Sequence, residues 1–413
     1  MRRSVVIALV VVCLATAALG SDWPQFLGPN RNGVSPEKGL MRKWPAGGPK
    51  VLWTVDVGPG YGGAAISGGK VYLLDRVGDE QDALRVLDVA TGKEEWRYAY
   101  DASGRASHHG SRSTPTVGDK YVFTVGLFGH FHCIDKATHK PVWKKHLLKD
   151  YGGKKPQWAV AQSPLLYKEV VIAAPQSGSV GVIAYEKATG KERWRSEPIG
   201  GMYYHSPFLT TVGGVEQIIM QSKSGVAGLD PTNGKILWTY GFRVPVAGVP
   251  APTPLGRDRL FLTGGYEAGS EIIQVSRQGG GLAAKRLHRF EEIGSHIQQP
   301  ILYEGHVYVV CNTNRRANGM VCFGLDGQVK WKTGRHPYLC KGSLILTADG
   351  LIYQMDGETG ELHIIQPSPA GFKSLDKVKL LGGKEIWGPM VLSDGRLVIR
   401  DQRQMKCLDI RAQ

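Results

Sequence analysis

Residues 87–96 read LDVATGKEEW, and the chain repeats that phrase in altered form: IDKATHKPVW at 134–143, AYEKATGKERW at 184–194, LDPTNGKILW at 229–238 and a shorter GLDGQVKW at 324–331. A chain of 413 residues has room for two or three ordinary domains. Self-similarity at a near-constant period points instead to one architecture stacked from copies of one supersecondary unit. Each copy reads as an alternating strand, an Asp, a short turn and a second strand bearing Trp. The Asp (Asp88, Asp135, Asp230) can accept hydrogen bonds from turn amides, and the Gly (Gly92, Gly190, Gly234) takes positive φ at no steric cost. The unit is therefore a hairpin. Its Trp presents a large apolar plate on one face, suited to packing on the next sheet.

Trp96, Trp143, Trp194 and Trp238 recur 44 to 51 residues apart, while 93 residues separate Trp238 from Trp331. One unit is hidden in that gap, with strands RLFLTGG and EIIQVSR, a turn at QGGGL, and RLHRF in place of the Trp strand. A later copy, LIYQMDGETGELHII (351–365), keeps the turn and loses the Trp. Two further strands precede each hairpin, the first usually opening on Pro: STPTV, QSPLLY, HSPFLT, QQPILY, WGPMVL. Four strands per period of about 45 residues is the blade of a β-propeller. The last unit stops at CLDI without a Trp strand, and KVLWTV (50–55) carries Trp53 without a preceding turn. Together they complete one blade. That pairing closes the ring and removes the open sheet edges that invite aggregation. The expected fold is all-β: an eight-bladed propeller of four-stranded antiparallel blades over 50–413, closed by its N-terminal strand and preceded by an irregular clasp at 21–49.

With 55 Gly and 23 Pro, the composition suits short strands and tight turns, and no segment reads as a long helix. Residues 1–20 place two arginines before a short apolar run and small residues, the pattern of a signal peptide cleaved after Gly20. This predicts a periplasmic or secreted protein. Three valines precede Cys13, which argues against a lipid-anchor cysteine, and no later stretch is apolar enough to span a membrane. Loss of the leader's two arginines takes the formal charge from +15 to +13. A basic exported protein favours anionic neighbours, such as acidic polysaccharide, lipid head groups or acidic proteins. Nucleic acid is not expected, because the Lys and Arg residues are scattered rather than gathered in a stripe. The remaining cysteines form no metal-ligand pattern. Cys133, Cys322 and Cys407 read as small buried apolar residues, and Cys311 with Cys322 is the one pair placed for a disulfide.

The AxDxATGKxxW pattern resembles that of the pyrroloquinoline-quinone-like propeller superfamily, which includes quinoprotein alcohol dehydrogenases and the propeller lipoprotein of the bacterial outer-membrane β-barrel assembly machinery. The likeness covers about residues 50–411 and is specific for fold. The opening DWPQFLGPNRNGVS (22–35) is similar to the start of a group of exported bacterial propellers; Trp23 and Phe26 in it can cap one end of the ring. The dehydrogenase resemblance implies pyrroloquinoline quinone bound with calcium, under a disulfide between adjacent cysteines, with an Asp as base. This chain has no adjacent cysteines, and the strand entrances YGGAA, GSRST, VAQS, YYHS, GVPAP, HIQQ, LCKGS and IWGP hold no Asp or Glu. Calcium wants several hard oxygen ligands and proton abstraction wants a base, so the residues argue against a cofactor and against an enzyme.

A ligand of a propeller sits at the mouth of the central channel. Alignment of the blades on the Pro puts Gly62, Ser113, Gln162, His205, Pro250, Gln298, Lys341 and Trp387 two positions before it or its equivalent, with Tyr61, Arg112, Tyr204 and His296 beside them. The ring suits an anionic or carbonyl-bearing ligand: Arg112 and Lys341 for a carboxylate, Trp387 and Tyr204 for a flat ring, the glutamines for hydrogen bonds. His130 and His132 alternate along one strand without an evident third metal ligand, and His108 and His109 lie in a loop near the mouth. No GxSxG elbow is present. The expected role is that of a monomeric envelope scaffold binding proteins or peptides, with quinone-dependent oxidation of alcohols or sugars as the alternative.

Overall fold

The computed structural model describes residues 21–312 and 317–412; the leader and its cleavage point lie outside them. Eight sheets follow one another around a central channel, most with a short strand of two to five residues innermost. The first blade is Ala65–Ser67, Lys70–Val77, Gln81–Asp88 and Glu94–Asp101. Blades two to seven fall within 116–146, 165–195, 208–240, 253–290, 301–332 and 343–379. The eighth takes Val391–Ser393, Arg396–Arg400 and Gln404–Asp409 from the C-terminus and Lys50–Asp56 from the N-terminus. Ring closure is antiparallel, with Lys50 opposite Asp409 and Trp53 opposite Cys407. The only helical turn among the described residues is the 3-10 segment Lys149–Tyr151.

The repeat motif is an interlock between blades. Asp88 Oδ1 accepts from the amides of Ala90 and Thr91 at 3.1 and 2.8 Å, and Gly92 takes φ 72°. In every blade the register between third and outer strands then slips by one residue. The residue after that bulge is Trp in six blades, His288 in the fifth and Asp376 in the seventh. Opposite each Trp stands Val86, Cys133, Ala184, Gly228, Cys322 or Cys407, side chains short enough to lie under an indole; opposite His288 and Asp376 stand Ile272 and Ile364. This accounts for three of the cysteines. The rings reach into the following blade: Trp53 Nε1 donates to Val89 O and Trp143 Nε1 to Lys187 O, both at 2.9 Å, and Trp96 stacks on His139 with centroids 4.3 Å apart.

Two expectations need correction. DGETGE joins the second and third strands of the seventh blade, so the strand replacing the Trp strand is Ser374–Lys379 and not the segment ending at 365. Its Asp376 Oδ2 accepts from Trp44 N at 2.7 Å, and the Trp44 ring lies 6.0 Å from Tyr353, so an indole from the N-terminal segment serves where the blade has none. Nor do Cys311 and Cys322 bridge: Cys311 lies opposite Gly319, Cys322 opposite Tyr308, and both thiols are free and buried.

The N-terminal segment runs along the channel. Trp23 bridges Ile66, Pro24 O accepts from Val117 N, and Val34–Ser35 adds a parallel strand inside the seventh blade, which thereby has five. Arg31, 3 % exposed, donates to the carbonyls of Ser163 and Pro164 at 3.0 and 2.8 Å. Burial lowers its pKa to about 9.

Candidate binding site at the hub

The loops that lead from each outer strand into the next inner strand converge on one face around a cavity of about 220 Å³. Aromatic rings line it in an unbroken run. Tyr61 and Trp387 lie 5.2 Å apart; His108 is 5.9 Å from Trp387 and 6.3 Å from Trp158; Trp158 is 5.6 Å from Tyr204 and 6.1 Å from Tyr266; Tyr266 meets His296 edge-on at 4.4 Å. Phe26, from the N-terminal segment, also lines the cavity. Two cations sit against ring faces: Arg112 Cζ is 5.4 Å from the Tyr61 centroid and Lys341 Nζ 5.4 Å from that of Trp387.

Arg112 is anchored by the carbonyls of Gly110 at 2.5 Å, Ser107 at 2.9 Å and His108. Burial lowers its pKa to about 10, which leaves it charged at neutral pH. Its loop is held from below by the fully buried pair Arg76–Asp82 at 3.1 Å, in which Arg76 also donates to the carbonyls of Ala102, Gly104 and Asp79. Burial and the neighbouring Lys341 lower the His296 pKa to about 4, so that ring is neutral. At the rim, Tyr61 OH donates to Glu385 Oε2 at 2.5 Å and His108 Nε2 stands 3.8 Å from Oε1. Burial first, then Glu385, raises the Tyr61 pKa.

Of the residues expected at the mouth, Tyr61, Arg112, Tyr204, His296, Lys341 and Trp387 line the cavity. Ser113, Gln162, His205 and Gln298 do not; they are buried inside their blades. Ser113 Oγ donates to Val125 O, Gln162 exchanges two 2.7 Å bonds with the Ala174 backbone, and Ser295 Oγ donates to the Gln298 carbonyl. The offset was wrong by one residue. Side chains alternate, and in five blades it is the residue three before the Pro that faces the cavity: Arg112, Ala161, Tyr204, Val249 and Ile297. The residue directly before the Pro ties neighbouring blades together, as where Thr114 N donates to Ser163 Oγ and Ser163 N to Ser206 Oγ, at 2.9 and 2.8 Å.

Sequence reasoning missed Trp158, Tyr266 and Glu385, whereas His108, expected in a loop near the mouth, lines the cavity. A signal for the first was present: of ten tryptophans, six sit on blade hairpins, and among the four left over are Trp158 and Trp387. Glu385 lies one residue before the IWGP entrance, and its backbone at φ 57° turns it toward Tyr61. The His130 and His132 rings are 6.1 Å apart, and burial lowers their pKa values to about 4 and 3. Among the described residues no group of three or more His, Cys, Asp or Glu could hold a metal ion.

A family model described as outer membrane protein assembly factor BamB matches residues 102–333, more than half of the chain. The chain belongs to that family. No curated protein matches it. Among solved structures it is similar to a europium-containing methanol dehydrogenase (TM-score 0.67, 14% identity, covering 92% of this chain and 89% of the other). It is also similar to the quinohemoprotein alcohol dehydrogenase ADHIIG of Pseudomonas putida HK5 (TM-score 0.65, 13% identity, 95% and 81%) and to the computationally designed Ika8 protein (TM-score 0.57, 11%, 92% and 99%). At these identities the likeness is one of fold alone. No helix among the described residues is long and apolar enough to cross a membrane.

Proposed function

We propose that this BamB-family propeller is an exported binding module of the bacterial cell envelope, with outer-membrane protein assembly as the setting its family suggests. It engages its partner through the hub face. The observation that carries this reading is the cavity itself: an aromatic wall with two cations, Arg112 and Lys341, on the faces of Tyr61 and Trp387. Among the described residues no Asp or Glu lines the cavity, so a group combining a ring or apolar body with an anion is the complement. The eight blades supply a rigid frame, and the loops supply specificity.

The dehydrogenases of like fold make a quinone cofactor with a hard cation the alternative. A ring-stacking surface for it exists at Trp387 and Trp158. The donor set does not fit the cation: calcium takes about six to eight oxygen ligands, whereas the carboxylate at the rim is Glu385, already an acceptor for Tyr61.

The reading is tested by capture of partners from envelope extract on immobilised wild type and on Arg112→Ala/Lys341→Ala. Loss of a specific partner in the variant is expected; identical recovery would remove the hub face as the binding site. Titration with pyrroloquinoline quinone and calcium, with an artificial electron acceptor and alcohols, should give no turnover, and saturable cofactor-dependent oxidation would establish the alternative.

A further inference from the structure

Next to the hub cavity lies a second and larger depression, about 830 Å³, on the same face. Tyr204 lines both. The aromatic row therefore continues outward from Trp158 through Tyr204 to Tyr203, whose ring is nearly parallel to that of Tyr204 at 6.1 Å and 16°. The phenols are tied down, Tyr203 OH donating to Val244 O and Tyr204 OH accepting from Trp158 N at 3.1 Å, so the rings are held in place. Two more cations border this depression. Lys223 Nζ lies 5.5 Å from the Tyr203 centroid, and Arg243 comes from the neighbouring blade connection. Both are exposed and have no ion-pair partner among the described residues. Among the described residues no acidic side chain lines the second depression, as none lines the first.

We propose that hub and depression form one extended site for an acidic oligosaccharide, with one sugar unit in the hub cavity and the next units running over Tyr204 and Tyr203. This rests on the reading of the hub as a ligand site and adds the class of ligand. A pyranose ring offers an apolar C–H face that stacks on tyrosine or tryptophan, while uronate carboxylates match Arg112 and Lys341 at one end and Lys223 and Arg243 at the other. A peptide is the less suitable occupant. Peptide capture commonly uses backbone hydrogen bonds along a free strand edge, and backbone amides at the strand entrances around the hub are engaged between blades, as at Thr114, Ser163, Ala251 and Met390. Ring faces and side-chain cations are what this surface offers.

The test is calorimetric titration of the purified protein, at low salt, with galacturonic acid, α-1,4-linked pentagalacturonate, neutral maltopentaose, an acidic aromatic peptide and a thymidine octanucleotide. The pentamer should bind at least roughly tenfold tighter than the monomer, and more tightly than the other three. Lys223→Ala/Arg243→Ala, both changes at exposed positions, should bring the pentamer down to the affinity of the monomer and leave the monomer alone; Lys341→Ala should weaken both. Equal affinity for monomer and pentamer, or no effect of the Lys223/Arg243 pair, would overturn the extended site while leaving the hub reading intact. Maltopentaose, peptide or oligonucleotide binding as well as the pentamer would overturn the ligand class. Absence of binding by either uronate would do the same, and partner capture by the hub face would then be judged separately.

Discussion

The indole of Trp143 lies over Gly190 of the following blade, so close that a Cβ on that glycine would meet Trp143 Cγ at 2.7 Å. Gly190 also needs φ 67°. Gly190→Ala therefore combines backbone strain with a clash against a ring anchored by its own hydrogen bond, and should cost about 2–4 kcal/mol. Gly214 has φ 74° with nothing within 4 Å of its absent Cβ, so Gly214→Ala should cost only the backbone contribution, about 1 kcal/mol. Chemical denaturation of both variants checks the difference; equal losses would mean that the Trp–Gly contact is not what joins the blades.

Trp53 performs the same contact across the seam of the ring, where its blade is assembled from both ends of the chain. Trp53→Ala removes a buried aromatic and the bond to Val89 O together, at a cost of about 3–5 kcal/mol. The strand Lys50–Asp56 should release first. Limited proteolysis should cut the variant near residue 50 under conditions in which the wild type and a Trp331→Ala variant stay whole there.

Acid should destabilise the fold through neutral histidines that are buried or, at His130, half-buried. Burial lowers the pKa values of His205 and His132 to about 3, and of His130 and His296 to about 4, from 6.5. Between those folded values and 6.5 the unfolded chain holds more protons than the native one. Stability contributed by keeping these rings neutral is complete above about pH 6.5 and is lost as pH falls toward 4, at about 1.4 kcal/mol for each unit of depression. Urea midpoints should decline steadily from pH 7 to pH 4.5, and His205→Leu should decline less steeply. A flat profile would contradict the burial assigned to these rings.

Glu385 should be visible in the titration of Tyr61. Its carboxylate accepts a hydrogen bond from the phenol and opposes formation of a second negative charge, so Glu385→Gln should lower the Tyr61 pKa, although burial keeps it above 10. The ultraviolet absorbance of tyrosinate, followed in alkaline solution against a Tyr61→Phe control, reads this directly. An unchanged titration would separate the two side chains.

Periodicity alone determined the blade, the number of blades and the way the ring closes, because an Asp–turn–Gly–Trp hairpin is a local structure that states its own boundaries. Alignment on the Pro that opens most inner strands also brought out Arg112, Tyr204 and Trp387, with Lys341 at the equivalent position of a blade that lacks the Pro. What failed was a one-residue offset at Ser113, Gln162, His205 and Gln298, and a hairpin assigned one connection too early at 351–365. Both errors have one cause: which way a side chain faces depends on bulges and on the neighbouring blade, and a repeat pattern carries neither. Only the tertiary structure brought Trp158, Tyr266 and Glu385 to the hub, from loops that share no motif. A repeat encodes contacts between like neighbours; a cavity on the ring axis is made by all the blades at once, and its chemistry exists only after the ring has closed.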